Sequence, residues 1–228
     1  MAIINSPSLA NCQFLEFGRQ VNELVEGGAS WFHIDIMDGH YVPNLCFPVK
    51  LVGELKENYP EIKADVHLMV TDPIAYIPQL KENRADYISF HLDSTPFSRR
   101  VLDLIHQNGM KGGVVINPSQ SISSVIPVLD YVDYVVVMTV EPGYAGQRFM
   151  SGSMQRIEEL VLLREARGLD FLISVDGGID YSHARECARL GVEVYVTGNF
   201  TIFKQQESLL LACRKFKEEM EEAHSGKI

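Results

Sequence analysis

The stretch Trp31-Phe32-His33-Ile34-Asp35-Ile36-Met37-Asp38-Gly39-His40 reads as a strand with two unlike faces. With a side-chain period of two, His33, Asp35 and Met37 share one face, and Phe32, Ile34 and Ile36 share the other. In a closed sheet the apolar set packs under helices, so His33 and Asp35 point into the interior. Working outward, short β-rich runs recur at Ile3–Ser8, Ile62–Leu68, Asp86–His91, Gly112–Asn117, Tyr134–Met138, Phe171–Val175 and Glu193–Thr197. Helical patterns follow them, such as Ser98–Asn108 before Gly109, Met154–Arg167 before Gly168 and Tyr181–Leu190 before Gly191. A glycine just past the last periodic residue is the expected left-handed stop.

Strands alternating with helices imply a parallel sheet covered by helices. With Trp31–Ile36 there are eight such units in 228 residues, which matches an α/β (β/α)8 TIM barrel. A doubly wound sheet is the competing architecture, but it often splits into halves around a switch point, and no linker or change of composition marks a split. The expectation is one barrel domain over residues 1–228, ending in a helix over Gln205–Ala223 and a disordered tail, His224–Ile228.

Composition is that of a globular protein, 46% hydrophobic and 22% charged. No stretch reaches the roughly 18 apolar residues of a membrane span. Met1–Leu9 lacks a basic region followed by an apolar run, so no secretory signal is expected. Cys12, Cys46, Cys187 and Cys213 form no CxxC pair, which suits reduced thiols in the cytoplasm better than disulfides or a zinc knuckle. A net charge of −10 disfavours nucleic acid. It also requires that an anionic substrate be held by local dipoles or a metal, not by the global field.

Catalytic groups of such a barrel sit at the C-terminal ends of strands. His33 and Asp35 are joined there by His67 and Met69 of the third strand and by Asp176, which ends the seventh before Gly177-Gly178. Two imidazoles and two carboxylates form an N2O2 set that suits Zn²⁺ and also Mn²⁺, Fe²⁺ or Co²⁺. A lone interior His or Asp is more often a hydrogen-bonded structural group than a ligand, and spacing alone leaves both readings open. Burying four such groups without an ion is costly, however, at about 1–3 kcal/mol per unpaired polar group and more per charge.

Three glycine-bearing turns follow the sixth, seventh and eighth strands: Pro142-Gly143-Tyr144-Ala145-Gly146-Gln147, Gly177-Gly178 and Gly198-Asn199. Glycine lets backbone N–H groups approach an anion. Phe200–Phe203 reads as a short helix whose N-terminus faces the same point. Together these turns favour a phosphorylated substrate, with Gly143, Ala145, Gly146, Gln147, Gly177, Gly178, Gly198 and Asn199 as phosphate-binding candidates. Among the other histidines, His40 covers the site from its loop and His91 stands behind the ligands. His106, His183 and His224 are expected to face solvent, and Trp31 to pack far from the mouth.

Ser6-Pro7-Ser8, the run from His33 through Asp38-Gly39-His40-Tyr41-Val42-Pro43-Asn44, His67-Leu68-Met69, Glu141-Pro142-Gly143-Tyr144-Ala145-Gly146-Gln147-Arg148-Phe149 and Val175-Asp176-Gly177-Gly178 resemble the ribulose-phosphate 3-epimerase family, in order and at similar spacings. The resemblance implies that His33, Asp35, His67 and Asp176 bind one divalent metal. Zinc comes first, with iron, manganese, cobalt or magnesium as alternatives. It further implies that Asp35 and Asp176 are the acid/base pair and that Ser8, Met37, Met69 and Met138 contact the substrate. Self-association as a homo-oligomer is implied as well. The implied reaction is inversion at C3 of a ketose phosphate, D-ribulose 5-phosphate to D-xylulose 5-phosphate. Leu45-Cys46-Phe47-Pro48, Ala145 and Asn199-Phe200 depart from the usual pentulose pattern and keep D-allulose 6-phosphate as the alternative substrate. A phosphosugar lyase or decarboxylase would want a lysine among the strand-end acids. A non-catalytic phosphosugar-binding barrel would not need acids on opposite walls.

Overall fold

Eight parallel strands follow the expected order, each end within one residue of its expected place: β1 Ile4–Pro7, β2 Trp31–Met37, β3 Lys63–Met69, β4 Tyr87–His91, β5 Lys111–Ile116, β6 Tyr134–Met138, β7 Leu172–Asp176 and β8 Val194–Thr197. They come from a computed structural model, which describes residues 3–226. The sheet runs β1-β8-β7-β6-β5-β4-β3-β2. A bridge between Ser8 and His33 brings its two ends together, so the sheet closes into a TIM barrel. Helices α1 Phe17–Glu26, α2 Lys50–Asn58, α3 Ile77–Glu82, α4 Ser98–Gln107, α5 Ser153–Arg167, α6 Tyr181–Leu190 and α7 Leu209–His224 cover it.

The two faces of β2 separate as their residue types require. Phe32, Ile34 and Ile36 join the large apolar layer between barrel and helices. A smaller cluster of Val115, Tyr134, Val136, Met138 and Val140 packs separately from that layer, along the face of the sheet opposite the helices. Trp31 lies at the other end of its strand from the site, its ring 4.1 Å from that of Tyr87.

Three sequence expectations need correction. The crossing after β5 is a 3₁₀ segment, Ile122–Tyr131, with Pro127 inside it. Proline supplies no N–H and crowds the preceding turn, so a regular α-helix does not propagate there. The last helix starts four residues later than expected and runs through His224. Its end continues into Ser225 and Gly226, whose amides donate to Glu221 and Ala223 carbonyls at 3.1 Å. Lys227 and Ile228, the rest of the expected tail, lie outside the described residues. Finally, only His106 of the three outward histidines is exposed. The half-buried His183 stacks on Phe149 with ring centroids 4.1 Å apart, and His224 Nδ1 meets the Ala188 carbonyl at 3.0 Å.

The barrel floor, opposite the site, is held by acids placed just before even-numbered strands. Asp86 accepts from the Ala64 amide at 2.9 Å and from Lys56 and Lys63 at 2.9 and 3.0 Å. Asp133 accepts from the Gly112 amide at 2.8 Å and from Lys111 at 2.7 Å, and lies 2.8 Å from His106. Glu193 accepts from the Ile173 amide at 2.9 Å and from Arg164 at 2.7 Å.

Candidate metal centre and substrate pocket

The C-terminal ends of β2, β3 and β7 bring four side chains to one point. His33 Nε2 and His67 Nδ1 lie 3.2 Å apart. Both face Asp35 Oδ1, at 3.5 and 3.6 Å, and Asp176 Oδ2, at 3.6 and 3.4 Å. No two of these four atoms are more than 4.8 Å apart. Contacts of 3.4–3.6 Å are too long for good hydrogen bonds. They are instead the edges of a tetrahedron: ligand bonds of about 2.0–2.2 Å give ligand–ligand separations of about 3.3–3.6 Å. Four of the six edges thus already suit a four-coordinate ion, the His33–His67 edge at 3.2 Å is only slightly shorter, and the N2O2 donor set fits one chemically.

Electrostatics agree with the geometry. Burial works against a charged His33, but Asp35 and Asp65 outweigh it and hold the imidazole well above its ordinary value. His67 is raised against burial by Asp176 and Asp35. Asp35 is held below the usual carboxylate range, burial notwithstanding, by His33 and His67. The centre thus favours added positive charge, which imidazole protons supply in the metal-free state and which a cation would supply in their place on binding.

Each ligand candidate is braced from behind. His33 Nδ1 lies 2.8 Å from Asp65 Oδ2, and Asp65 Oδ1 accepts from the Tyr134 hydroxyl at 2.9 Å. A carboxylate on that nitrogen leaves Nε2 unprotonated for an ion. His67 Nε2 lies 2.9 Å from His91 Nε2, with the rings stacked at 25°. Burial, assisted by His67, pushes the His91 imidazole well below its ordinary value. Ser8 Oγ donates to Asp35 Oδ2 at 2.8 Å. The Thr139 amide and hydroxyl donate to the Asp176 carbonyl at 2.8 and 2.9 Å.

Asp38 is not a ligand. It accepts from the His40 and Tyr41 amides and from the Thr71 amide, all at 2.8 Å, and from the Thr71 hydroxyl at 2.9 Å. Those bonds outweigh desolvation and hold its carboxyl well below the usual range. Its role is to shape the loop after β2. That loop is tied to the one after β6 by Asn44 Nδ2 donating to the Gly143 carbonyl at 2.8 Å and the Tyr144 hydroxyl donating to that of Pro43 at 2.9 Å. His40 is exposed on it.

One pocket collects the remaining candidates. Asp35 and Asp176 line it with Ser8, Met37, Met69 and Met138, and so do Gly143, Ala145, Gly146, Gln147, Gly177, Gly178, Gly198 and Asn199. His33 and His67 are wholly buried. Gly178 has φ +62°, and a Cβ there would collide with the Phe149 amide nitrogen and approach the Arg148 carbonyl carbon to 2.7 Å. Only glycine lets the loops after β6 and β7 cross this closely. The Gly198 amide donates to Thr201 Oγ1 at 3.2 Å, so this glycine offers space and not a donor. The short helix expected after it is a π-helical turn, Asn199–Phe203. No lysine or arginine stands among the described residues lining the pocket. Sequence reading missed Asn11 and Thr197, both polar pocket residues at or after a strand end, a position that could have flagged them. It also gave no role to Asp65, although period two places Asp65 on the His67 face.

A model of the ribulose-phosphate 3 epimerase family matches residues 4–203. The chain is 36% identical over 194 residues to ribulose-phosphate 3-epimerase of Aquifex aeolicus, covering 85% of this chain and 87% of that one. It is likewise 36% identical over 205 residues to the protein of that name from Treponema pallidum, covering 90% and 94%. KGPDC from Streptococcus mutans has the same fold, with a TM-score of 0.72 over 97% of this chain and 98% of that one at 14% identity. The family match spans β1 to β8 and includes all four clustered side chains, and the chain belongs to the ribulose-phosphate 3-epimerase family.

Proposed function

We propose that the chain is an isomerase that inverts C3 of a ketose phosphate, interconverting D-ribulose 5-phosphate and D-xylulose 5-phosphate. The observation that carries this reading is the pair Asp35 and Asp176, which share one centre yet stand on strands separated by β1 and β8. Inversion needs a proton taken from one face of C3 and another delivered to the opposite face. Carboxylates on two walls do this without turning the intermediate over. The reaction asks one of the two to accept a proton and the other to deliver one, and the roles exchange when it runs in reverse. Ser8 keeps Asp35 Oδ2 oriented through its 2.8 Å bond. Met37, Met69 and Met138 provide polarisable walls that exclude water.

His33, Asp35, His67 and Asp176 would hold one divalent ion, with zinc favoured by the near-tetrahedral edges and iron, manganese, cobalt or magnesium as alternatives. When bound, the ion supplies Lewis-acid stabilisation of the negative charge that develops on the substrate oxygens beside C3. The substrate phosphate is assigned to the loops after β6, β7 and β8, where backbone N–H groups and Asn199 replace cationic side chains, while Gln147 spends its amide hydrogens on the Glu141 and Tyr144 carbonyls at 2.6 and 3.0 Å and holds the loop after β6 in shape. Exposed Phe14 and Leu15 support self-association. Four free cysteines suit the reducing cytoplasm, and no helix among the described residues is long and apolar enough to cross a membrane.

The test is proton NMR in D2O with metal-loaded protein, run in parallel on ribulose 5-phosphate and allulose 6-phosphate. Deuterium entering at C3 together with product is the expected result, faster on the pentulose. Faster turnover of allulose 6-phosphate would reassign the substrate to the hexulose. Absence of exchange on both, with metal present, would overturn the reading.

A further inference from the structure

His67 turns Nδ1 toward the centre and Nε2 toward His91. A nitrogen that offers its lone pair to a cation carries no proton, so a neutral His67 is protonated at Nε2. That N–H points at His91 Nε2, 2.9 Å away, which must then be the acceptor. His91 therefore carries its own proton on Nδ1.

The groups beyond His91 have the matching polarity. Asn117 Nδ2 donates both its hydrogens, to the Tyr41 hydroxyl at 2.7 Å and to Asp93 Oδ2 at 3.0 Å. The Tyr41 hydroxyl in turn donates to Asp93 Oδ1 at 2.7 Å. With both amide hydrogens committed, Asn117 has only Oδ1 left to offer. Among the described residues, His91 Nδ1 and Asn117 Oδ1 are both buried atoms without a hydrogen-bond partner, and the two side chains are neighbours. One is a donor and the other an acceptor, so a single water between them would satisfy both. Asn117 is anchored by the Arg156 guanidinium, which donates to its carbonyl at 2.7 Å. The Tyr41 ring lies over His91 with centroids 4.6 Å apart.

We propose that His91 is a positioning residue of the metal site, fixing His67 in the tautomer that presents Nδ1 to the ion, and that Asn117, Tyr41 and Asp93 in turn fix His91. The inference rests on His67 being a metal ligand. It assigns the run from β3 through the ends of β4 and β5 as one directed line of hydrogen bonds, starting at the metal ligand and ending on a carboxylate at the surface. Asp93 thereby acts on the metal from a distance, through polarity and not contact. The design differs from that behind His33, where a buried carboxylate bonds the ring directly.

Two measurements test this. In zinc-loaded protein, ¹⁵N NMR of the imidazoles should show His91 protonated at Nδ1 with Nε2 bare, and His67 protonated at Nε2. The opposite tautomer at His91 would overturn the proposal, and this arm needs no substitution. Chelator competition for Zn²⁺ should show His91→Phe, which keeps the ring stack, binding roughly 10–100-fold more weakly than the parent. His91→Gln, which retains an acceptor toward His67 and a donor toward Asn117, should recover most of that loss. Equal affinity of parent and His91→Phe would sink the proposal and leave the metal site standing. Equal loss in both variants would mean packing alone and sink it too. A parent that binds no Zn²⁺ would instead bring down the site reading, and this inference with it.

Discussion

His33, His67 and Asp35 carry opposite demands on the same proton supply, and this sets how metal and pH are linked. Without metal, His33 and His67 are raised and Asp35 is lowered. The stability contributed by a raised histidine is complete below its ordinary value of about 6.5 and is lost as pH rises through the folded value. The contribution of a lowered Asp35 is complete above about 4 and is lost only in acid. Metal-free protein should therefore lose melting temperature as pH rises above about 6.5, while metal-loaded protein should not, because the ion replaces the protons. Melting curves from pH 6 to 9 with and without zinc check this, and parallel profiles would refute it. Asp176→Asn should lower kcat of metal-saturated protein by about 10²–10⁴-fold, and near-parental turnover would remove Asp176 from the chemistry. The four clustered residues were legible in the sequence because a period of two places them and the barrel rule says where strand ends converge. Which ring nitrogen of His67 faces the centre was not legible, since it depends on a rotation that only the packing of His91 and Tyr41 decides.

The strands were legible to within a residue because they are short apolar runs between polar turns, and sheet pairing moves such ends very little. Besides the start of the last helix, two things escaped. One was the 3₁₀ crossing at Ile122–Tyr131, where Pro127 overrides the helical pattern. The other was the role of Asp86, Asp133 and Glu193, which in sequence are merely charges preceding a strand. Each accepts an amide from the second residue of the preceding strand, so the acids before β4, β6 and β8 pin the starts of β3, β5 and β7. That pairing of odd and even strands exists only once the sheet is assembled. The pins differ in burial: the side chain of Glu193 is 2% exposed and that of Asp133 is 21%. Glu193→Ala leaves Arg164 buried and unpaired and should cost about 3–5 kcal/mol. Asp133→Ala, with water able to reach its partners, should cost about 1–3 kcal/mol. Urea unfolding should rank them in that order. Both lie at the end of the barrel away from the pocket, so kcat of the folded variants should stay at the parental level.

At the scale of the whole molecule the difficulty is charge. A protein of net charge −10 is proposed to take a dianionic phosphate into a pocket that has acids at its metal centre and neither lysine nor arginine on its lining. The long-range field opposes that substrate, and attraction begins only where backbone N–H groups and the metal come within a few ångströms. Long-range and short-range terms respond differently to salt. The screening length falls from about 30 Å at 0.01 M ionic strength to about 8 Å at 0.15 M, which weakens the repulsion across the surface while leaving contacts inside the pocket nearly intact. For an enzyme that steers its substrate with cationic side chains, added salt lowers kcat/KM. Here kcat/KM for ketose phosphate should hold steady or rise over the same interval, measured at saturating metal with chloride as the added anion. A several-fold fall would mean that cations outside the pocket lining draw the phosphate in, and that backbone dipoles and the metal are not its principal attractors.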